Sequence, residues 1–359
     1  MSSDHTLPAP FLDWIAQAAN GLDTGAVAAA EVLPRLTSAG LSGVGVPVAL
    51  GGSGGDTVDA VQAIAAVAQE SVTAAFMLWG HRGYIEYLLR TPNRPLAERH
   101  LPDLLAGRVA GASGLSNAMK SLAGLETLQV TARRDGASLL LNGKLPWVTN
   151  LRPAGFHVAA AVDCEDGAPA FVAFLAHDDE GLTRSPDLDI MGMRSSDTAA
   201  LTFANVRIGK ERILADNADQ WLSEMKPAFI ALQCGLSIGL ARRSLAEAAR
   251  FVAKGRGAIA GTIAGVRDRL NHAEAQLAAG LRQHSFERDA PRLFELRIEF
   301  AAIVADAVGL ELQATGGKAY LCGPGRDFAR RWREAAFIPL VTPSLTQMQT
   351  ALFQLRQAA

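Results

Sequence analysis

The order in which patterns change along the chain constrains the fold more than any single motif. Up to about residue 107, apolar residues recur at helical spacing, as in Phe11, Trp14, Ile15 and Ala18 and again in Val32, Leu33 and Leu36. A helix is expected over Val58–Ala75, running into the aromatic segment MLWGHRGYIEYLL. Near Arg108 the texture switches. TLQVTARRDGASLLLNG alternates apolar and polar residues around Asp135-Gly136, a hairpin signal. Further strands are expected over Phe156–Val162, Ala170–Ala176 and Ala199–Ile208. From about Asp216 the pattern is helical again: Phe229–Val252, Val266–Arg282, Pro291–Thr315, Asp327–Ala336 and Pro343–Ala358. The series ends its third helix at Gly316-Gly317, a helix C-terminal signal.

Helices, then strands, then helices exclude a doubly wound sheet, in which the two alternate. The expected organisation is α+β with three domains: an N-terminal α-helical domain over 1–107, a middle antiparallel β-barrel over 108–215, and a C-terminal up-down α-helical bundle over 216–359.

Composition narrows the function classes. A net charge of −2 supplies no basic field, so nucleic acid is not an expected partner. The longest apolar runs are interrupted by Gly, Arg or Gln, so no membrane span is expected, and the polar start MSSDHTLPAP has no signal-peptide character. A cytoplasmic location follows. Cys164, Cys234 and Cys322 are far apart and read as reduced core residues, and the seven histidines form no metal-ligand pattern. Charged residues make up only 19% of the chain, and alanine and glycine are abundant. Both features point to closely packed helices and a surface partly covered by self-association. The glycines of GVGVPVALGGSGGD, Gly43 to Asp56, lack the following GK[ST] of a phosphate loop and read as a connector between helices.

LNGKLPWVTN, Leu141 to Asn150, places a turn pair before an aromatic and a hydroxyl. Such an arrangement suits a flat ligand needing a wall and a hydrogen bond, and equally suits core packing at a strand end. The stretch TARRDGASLLLNGKLPWVTN resembles the strand pair of the acyl-CoA dehydrogenase flavoproteins, which ends in Trp-Ile-Thr-Asn. LDIMGMRSSDTAALTFANVRI, Leu188 to Ile208, is similar to another string of the same family. The resemblance implies an FAD-dependent oxidoreductase that removes hydrogens from Cα and Cβ of an acyl-CoA or related thioester. It also implies a homo-oligomer, dimer or tetramer, with each FAD shared across a subunit contact, and an electron-acceptor protein or oxygen as partner.

By the same resemblance, Trp147 walls the flavin and Thr149 offers its hydroxyl to the reactive edge of the ring. Ser116, in GASGLSNAMKSLAG, stands where the family has a flavin-lining threonine, although the Glu-Pro-Gly-Ala-Gly that follows there is absent. Arg256, Gln313, Gly316 and Gly317 match the strings that hold the dinucleotide of a neighbouring subunit, and Ser344 is a further cofactor-side residue. Arg194 is the candidate substrate contact, with a turn held by local caps as the alternative. The basic run Arg326, Arg330, Arg331 and Arg333 reads as a solvated or subunit-facing helix face.

The proton chemistry departs from the family. Counting forward from the helix at Arg331–Ala335 places Thr342 at the position of the usual catalytic glutamate. A threonine hydroxyl cannot act as a base near neutral pH. A subgroup that takes its glutamate from the long helix would place it near Phe229, with Glu224 the nearest carboxylate. Three readings stay open: a dehydrogenase with its base elsewhere, a reduced-flavin monooxygenase with His81 as a candidate near the ring, or a catalytically inactive flavin-binding homologue.

Overall fold

A computed structural model describes residues 7–252, 255 and 257–358. Five helices come first: α1 (Ala9–Thr24), α2 (Val32–Ser38), α3 (Thr57–Glu70), α4 (Val72–Arg90) and α5 (Arg94–Leu105). The strand region holds β1 (Ala110–Ser113), the short helix α6 (Ser116–Leu122), β2 (Val130–Asp135), β3 (Ser138–Val148), β4 (Phe156–Cys164), β5 (Phe171–Ala176), β6 (Leu182–Arg184), β7 (Ala199–Ile208) and β8 (Ile213–Ala215). Then follow α7 (Ala218–Val252), α8 (Ala260–Arg282), α9 (Ala290–Thr315), α10 (Arg326–Phe337) and α11 (Leu345–Ala358).

The helix expected over Val58–Ala75 is two helices broken at Ser71, whose extended backbone and side chain cap α4. The aromatic segment after it lies wholly within α4. This helix is buried on all sides over Val72–Leu88, as befits the centre of a helical assembly. Its buried Arg82 pairs with Glu86 at 2.9 Å and donates to the carbonyls of Val44 and Gly45. The glycine-rich connector is thereby tied down. Asp56 and Asp59 close a reciprocal capping box at the start of α3. The N- and C-terminal helices share one hydrophobic core. A Cβ at Gly239 would lie 2.2 Å from the Ala65 carbonyl, so glycine there permits the approach of α7 to α3.

The sheet is not a closed antiparallel barrel. Its strands run β6–β7–β3–β2–β4–β5–β8, with β1 also on β4, and the end strands β6 and β8 do not pair. The β2/β4 and β1/β4 pairs are parallel, so the sheet is mixed. A hairpin followed by successive strands pointed to closure; instead the chain leaves β3 and returns on the far side of β2, and the path stays open. Both edges are only three residues long, which limits edge-to-edge pairing. A second core fills the sheet's interior.

Asn142-Gly143 does not turn the chain. It sits inside β3 at a register shift against β7, where Gly143 has φ 138° and a Cβ would meet the Gln129 carbonyl at 2.1 Å. The Asn142 side chain is satisfied across the sheet by Asn205. The real turn is Asp135-Gly136, with Asp135 opposite Ser138.

The basic run on α10 is not a solvated face. Arg330 and Arg331 are buried, paired with Glu334 and Glu311 respectively, and Arg333 pairs with the fully buried Asp23. The cysteines are unpaired, with Cys234 in the core, Cys164 half-buried and Cys322 exposed, so the expectation of three core thiols holds for one. Among the described residues no helix is long and apolar enough to cross a membrane, and no cluster of His, Cys, Asp or Glu could hold a metal ion.

Candidate active site

A large cavity of about 820 Å³ opens between the sheet and the helices. That is the upper part of the ~300–1,000 Å³ range of small-molecule sites. One wall comes from the end of β3. Side chains two residues apart on a strand share a face, so Trp147 and Thr149 both look into the cavity while Val148 points to the sheet core. Trp147 is 55% exposed, which settles its alternative as a core residue. The strand end is fixed by Asn150, whose backbone is left-handed at φ 66° and whose buried side chain donates to the Gly111 carbonyl at 2.8 Å.

Behind Thr149 lies a row of hydroxyls that sequence reasoning did not single out. Thr149 Oγ1 is 3.0 Å from Thr198 Oγ1, which is 2.8 Å from Ser196 Oγ. Each hydroxyl can donate once and accept twice, so with the donations running from Ser196 outward the last proton points from Thr149 into the cavity. Between them in sequence, buried Asp197 is pushed up to about 6 by burial and, next, by the nearby charge of Asp187. The adjacent Ser-Asp-Thr in the sequence was the available signal for this row.

The opposite wall is helical. Phe76, Trp79 and Gly80 of α4 and Phe229 of α7 line it, together with the end of α10 and the segment Pro339–Thr342. Ser116, at the start of α6 in the strand region, reaches across to this wall: its Oγ donates to Thr342 Oγ1 at 2.9 Å. The segment is anchored from below. Gln233 Nε2 donates to the Thr342 carbonyl at 3.1 Å, and Arg297 donates to Gln233 Oε1 and to the Ile338 carbonyl, both at 2.7 Å. Arg297 is fully buried with no carboxylate among these partners, and burial pulls its guanidinium below the ordinary value. Ser344 also lines the cavity and forms a reciprocal cap with Gln347 at the start of α11.

Four charged side chains line the cavity, and each has a partner. Lys120 pairs with Glu126 at 2.7 Å, Asp189 with Arg194 at 2.6 Å, and Arg333 with Asp23. Glu126 also accepts from Asn117, and these contacts, led by Lys120, hold its carboxyl below the ordinary carboxylate value. Thr342 and Phe229 therefore both face the cavity, and neither position brings a carboxylate. Glu224 lies outside it, hydrogen-bonded to Gln220 on the surface of α7.

Several expected residues lie elsewhere. His81 does not line the cavity. It is fully buried, Nε2–H donates to the Leu104 carbonyl at 3.0 Å, and Nδ1 accepts from the Gly111 amide at 2.9 Å. Burial pushes it down to about 4, so it is a neutral strut between α4, α5 and β1 with no nitrogen left for a ligand. Arg194 is not a lining residue either; it holds Asp189 and the Ile190 carbonyl, fixing the loop whose residues Asp189–Met193 form the rim. Gln313, Gly316 and Gly317 sit at the end of α9, away from the cavity, with Gln313 and Gly317 exposed. Arg256 lies outside the described residues.

Residues 13–108 match the family described as acyl-CoA dehydrogenase, N-terminal domain. A probable acyl-CoA dehydrogenase of Mycobacterium tuberculosis is 30% identical over 188 residues, covering 52% of this chain and 48% of that protein. Over these stretches the chain is similar to the acyl-CoA dehydrogenases. It spans about half the length of the curated relatives it matches. Butyryl-CoA dehydrogenase from Megasphaera elsdenii has the same fold, with a TM-score of 0.83 at 18% identity over 99% of this chain and all of that one. KijD3, solved with FMN and a dTDP-linked amino-keto sugar, has it too, with a TM-score of 0.81 at 23% identity over 98% of this chain and 91% of that one. The acyl-CoA dehydrogenase fold is thus present across the whole chain.

Proposed function

We propose that this chain is a flavin-dependent oxidoreductase, with the flavin ring, taken here as that of FAD, against Trp147, Thr149 and Ser116. The observation that carries the reading is a large aromatic left 55% exposed beside a hydroxyl over a cavity of ligand size. An apolar ring of that area gains from being covered by a flat partner. When bound, a flavin supplies hydride and electron chemistry that no side chain here can supply. Trp147 would cover one ring face, the Thr149 proton would meet an acceptor at its edge, and the Pro339–Thr342 segment would keep water from the opposite side.

The dinucleotide end is assigned to Arg256, Gln313, Gly316 and Gly317 of a neighbouring copy in a dimer or tetramer. The exposure of Gln313 and Gly317, away from the chain's own cavity, agrees with this assignment. The three-domain division at 107 and 215 follows the switch from helix to strand to helix.

Two reactions fit such a site. The names of the curated relatives support α,β-dehydrogenation of an acyl-CoA thioester, with an electron-acceptor protein as the second partner. That reaction needs a base opposite the ring within reach of Cα. Thr342 and Phe229 favour the second reading, a monooxygenase fed with reduced flavin and oxygen, which needs no such base. An inactive flavin-binding homologue would do neither.

The deciding experiment begins with flavin uptake: FAD or FMN should bind, giving a yellow protein that releases flavin on denaturation, and a protein that takes up neither ends the proposal. Anaerobic mixing with a panel of acyl-CoA thioesters should leave the flavin absorbance unchanged over minutes, while Thr342→Glu should begin to bleach it. Rapid bleaching by the unaltered protein would instead establish dehydrogenation with a base from another residue.

A further inference from the structure

The helical wall carries an aromatic cluster that the ring site does not use. Phe76 stacks on Trp79 at 5.3 Å between centroids, Trp79 lies 4.9 Å from Phe229, and Phe337 meets Phe76 edge-on at 5.0 Å. All four line the cavity. The Trp79 indole N–H is directed to the Phe229 carbonyl at 3.5 Å, so its donor is taken within the protein and the largely buried cluster offers the cavity only apolar contact. At the mouth, Met191 and Leu340 are 72% and 66% exposed and continue the apolar surface outward.

The charges tell against an ionised guest. Lys120, Glu126, Asp189 and Arg333 are each neutralised by a protein partner. A ligand carboxylate or phosphate entering this space would lose water and gain no unpaired counter-ion, a cost larger than the value of one ordinary hydrogen bond. An uncharged ring instead gains from covering apolar surface and from edge-to-face contacts with the aromatic side chains.

We infer that the substrate side of this cavity takes an uncharged aromatic or similarly flat apolar molecule, against Phe76, Trp79, Phe229 and Phe337, and not a carboxylate, a phosphate or a flexible aliphatic chain. The inference rests on the flavin reading above for the assignment of the opposite wall to the cofactor.

The test uses the full chain loaded with FAD and titrated with four probes: 2-naphthalenemethanol, 2-naphthoate, 1-octanol and octanoyl-CoA. Binding is read from equilibrium dialysis and from the shift of the flavin band. Naphthalenemethanol should bind at least about tenfold more tightly than naphthoate, which differs only in charge, and than the other two. Phe337→Leu and, separately, Phe229→Leu should weaken naphthalenemethanol by roughly threefold to tenfold and leave octanol within about twofold. The two variants sit on different helices, so a folding defect in one leaves the other informative.

Naphthoate or octanoyl-CoA binding as tightly as the alcohol overturns the inference. If the protein takes up no flavin, the same titration is followed by dialysis on the flavin-free protein. A retained preference then supports the aromatic site and sinks only the flavin reading, and a lost preference sinks both.

Discussion

The two walls of the cavity are built differently. The sheet wall comes from one strand: the two-residue period of β3 puts Trp147 and Thr149 side by side, and Asn150 locks the strand end. The helical wall is gathered from α4, α7, α10 and the segment after it, and is held by contacts between distant residues, such as Gln233 with Thr342 and Arg297 with Ile338. The sheet wall carries the aromatic and hydroxyl on which the flavin proposal rests, whereas on the helical wall neither Thr342 nor Phe229 supplies a carboxylate. A site made by local periodicity and a site made by assembly can thus diverge separately on one fold.

The sharpest way to break the helical side is Asp23→Ala. Fully buried Asp23 binds Arg333 of α10 and accepts from the Met193 amide at 2.9 Å, so it ties the helix to the rim loop. Its loss leaves a half-buried guanidinium and an amide unpaired and should cost about 3 kcal/mol in a denaturant melt. Asp23→Asn should cost less.

The junction under both walls has a pH signature. His81 is held near 4 in the folded chain, below the 6.5 of the unfolded one. The unfolded state therefore binds the extra proton first, and stability falls as pH drops from 6.5 towards 4. At pH 5 the loss relative to pH 7 should be about 2 kcal/mol from this residue. His81→Gln should flatten the pH dependence of the melting temperature over that window; an unaltered slope would assign the dependence to other groups.

On the sheet wall the effects concern ligand rather than fold. Trp147→Ala should weaken flavin binding about tenfold or more while leaving the melting temperature of the flavin-free protein nearly unchanged, because the side chain is already half exposed. Thr149→Val should have the smallest effect, roughly threefold to tenfold on affinity, with a shift in flavin potential as the more specific readout. If both substitutions destabilise the empty protein instead, the wall serves folding and the contrast between the two sides dissolves.

What was legible in the sequence follows the same division. β7 occupies the expected Ala199–Ile208, and the third helix of the last series ends at Thr315 as its glycines indicate. Trp147 and Thr149, singled out in the sequence as one local pair, face the same cavity. Barrel closure was not readable because it depends on which side of β2 the chain returns to, a non-local choice. Asn142-Gly143 has turn chemistry, yet Asn205, far along the chain, satisfies it inside a sheet. The arginines of α10 look like a solvated face until Glu311 and Asp23 arrive from other helices. His81 sits among aromatics like a site residue, but its two nitrogens are taken by backbone groups on different elements.

The segment anchored by Gln233 and Arg297 has a consequence for biosynthesis. Ile338 and Thr342 leave the ribosome long after the sheet and α7, so until then buried Arg297 and Gln233 lack the carbonyls they hold. The nascent chain can form its strands and bring Phe76, Trp79 and Phe229 together early, but Phe337 joins them, and the pocket closes, only once this segment has emerged. Chains that stall shortly before this segment would carry an open, apolar cleft of the kind that recruits chaperones.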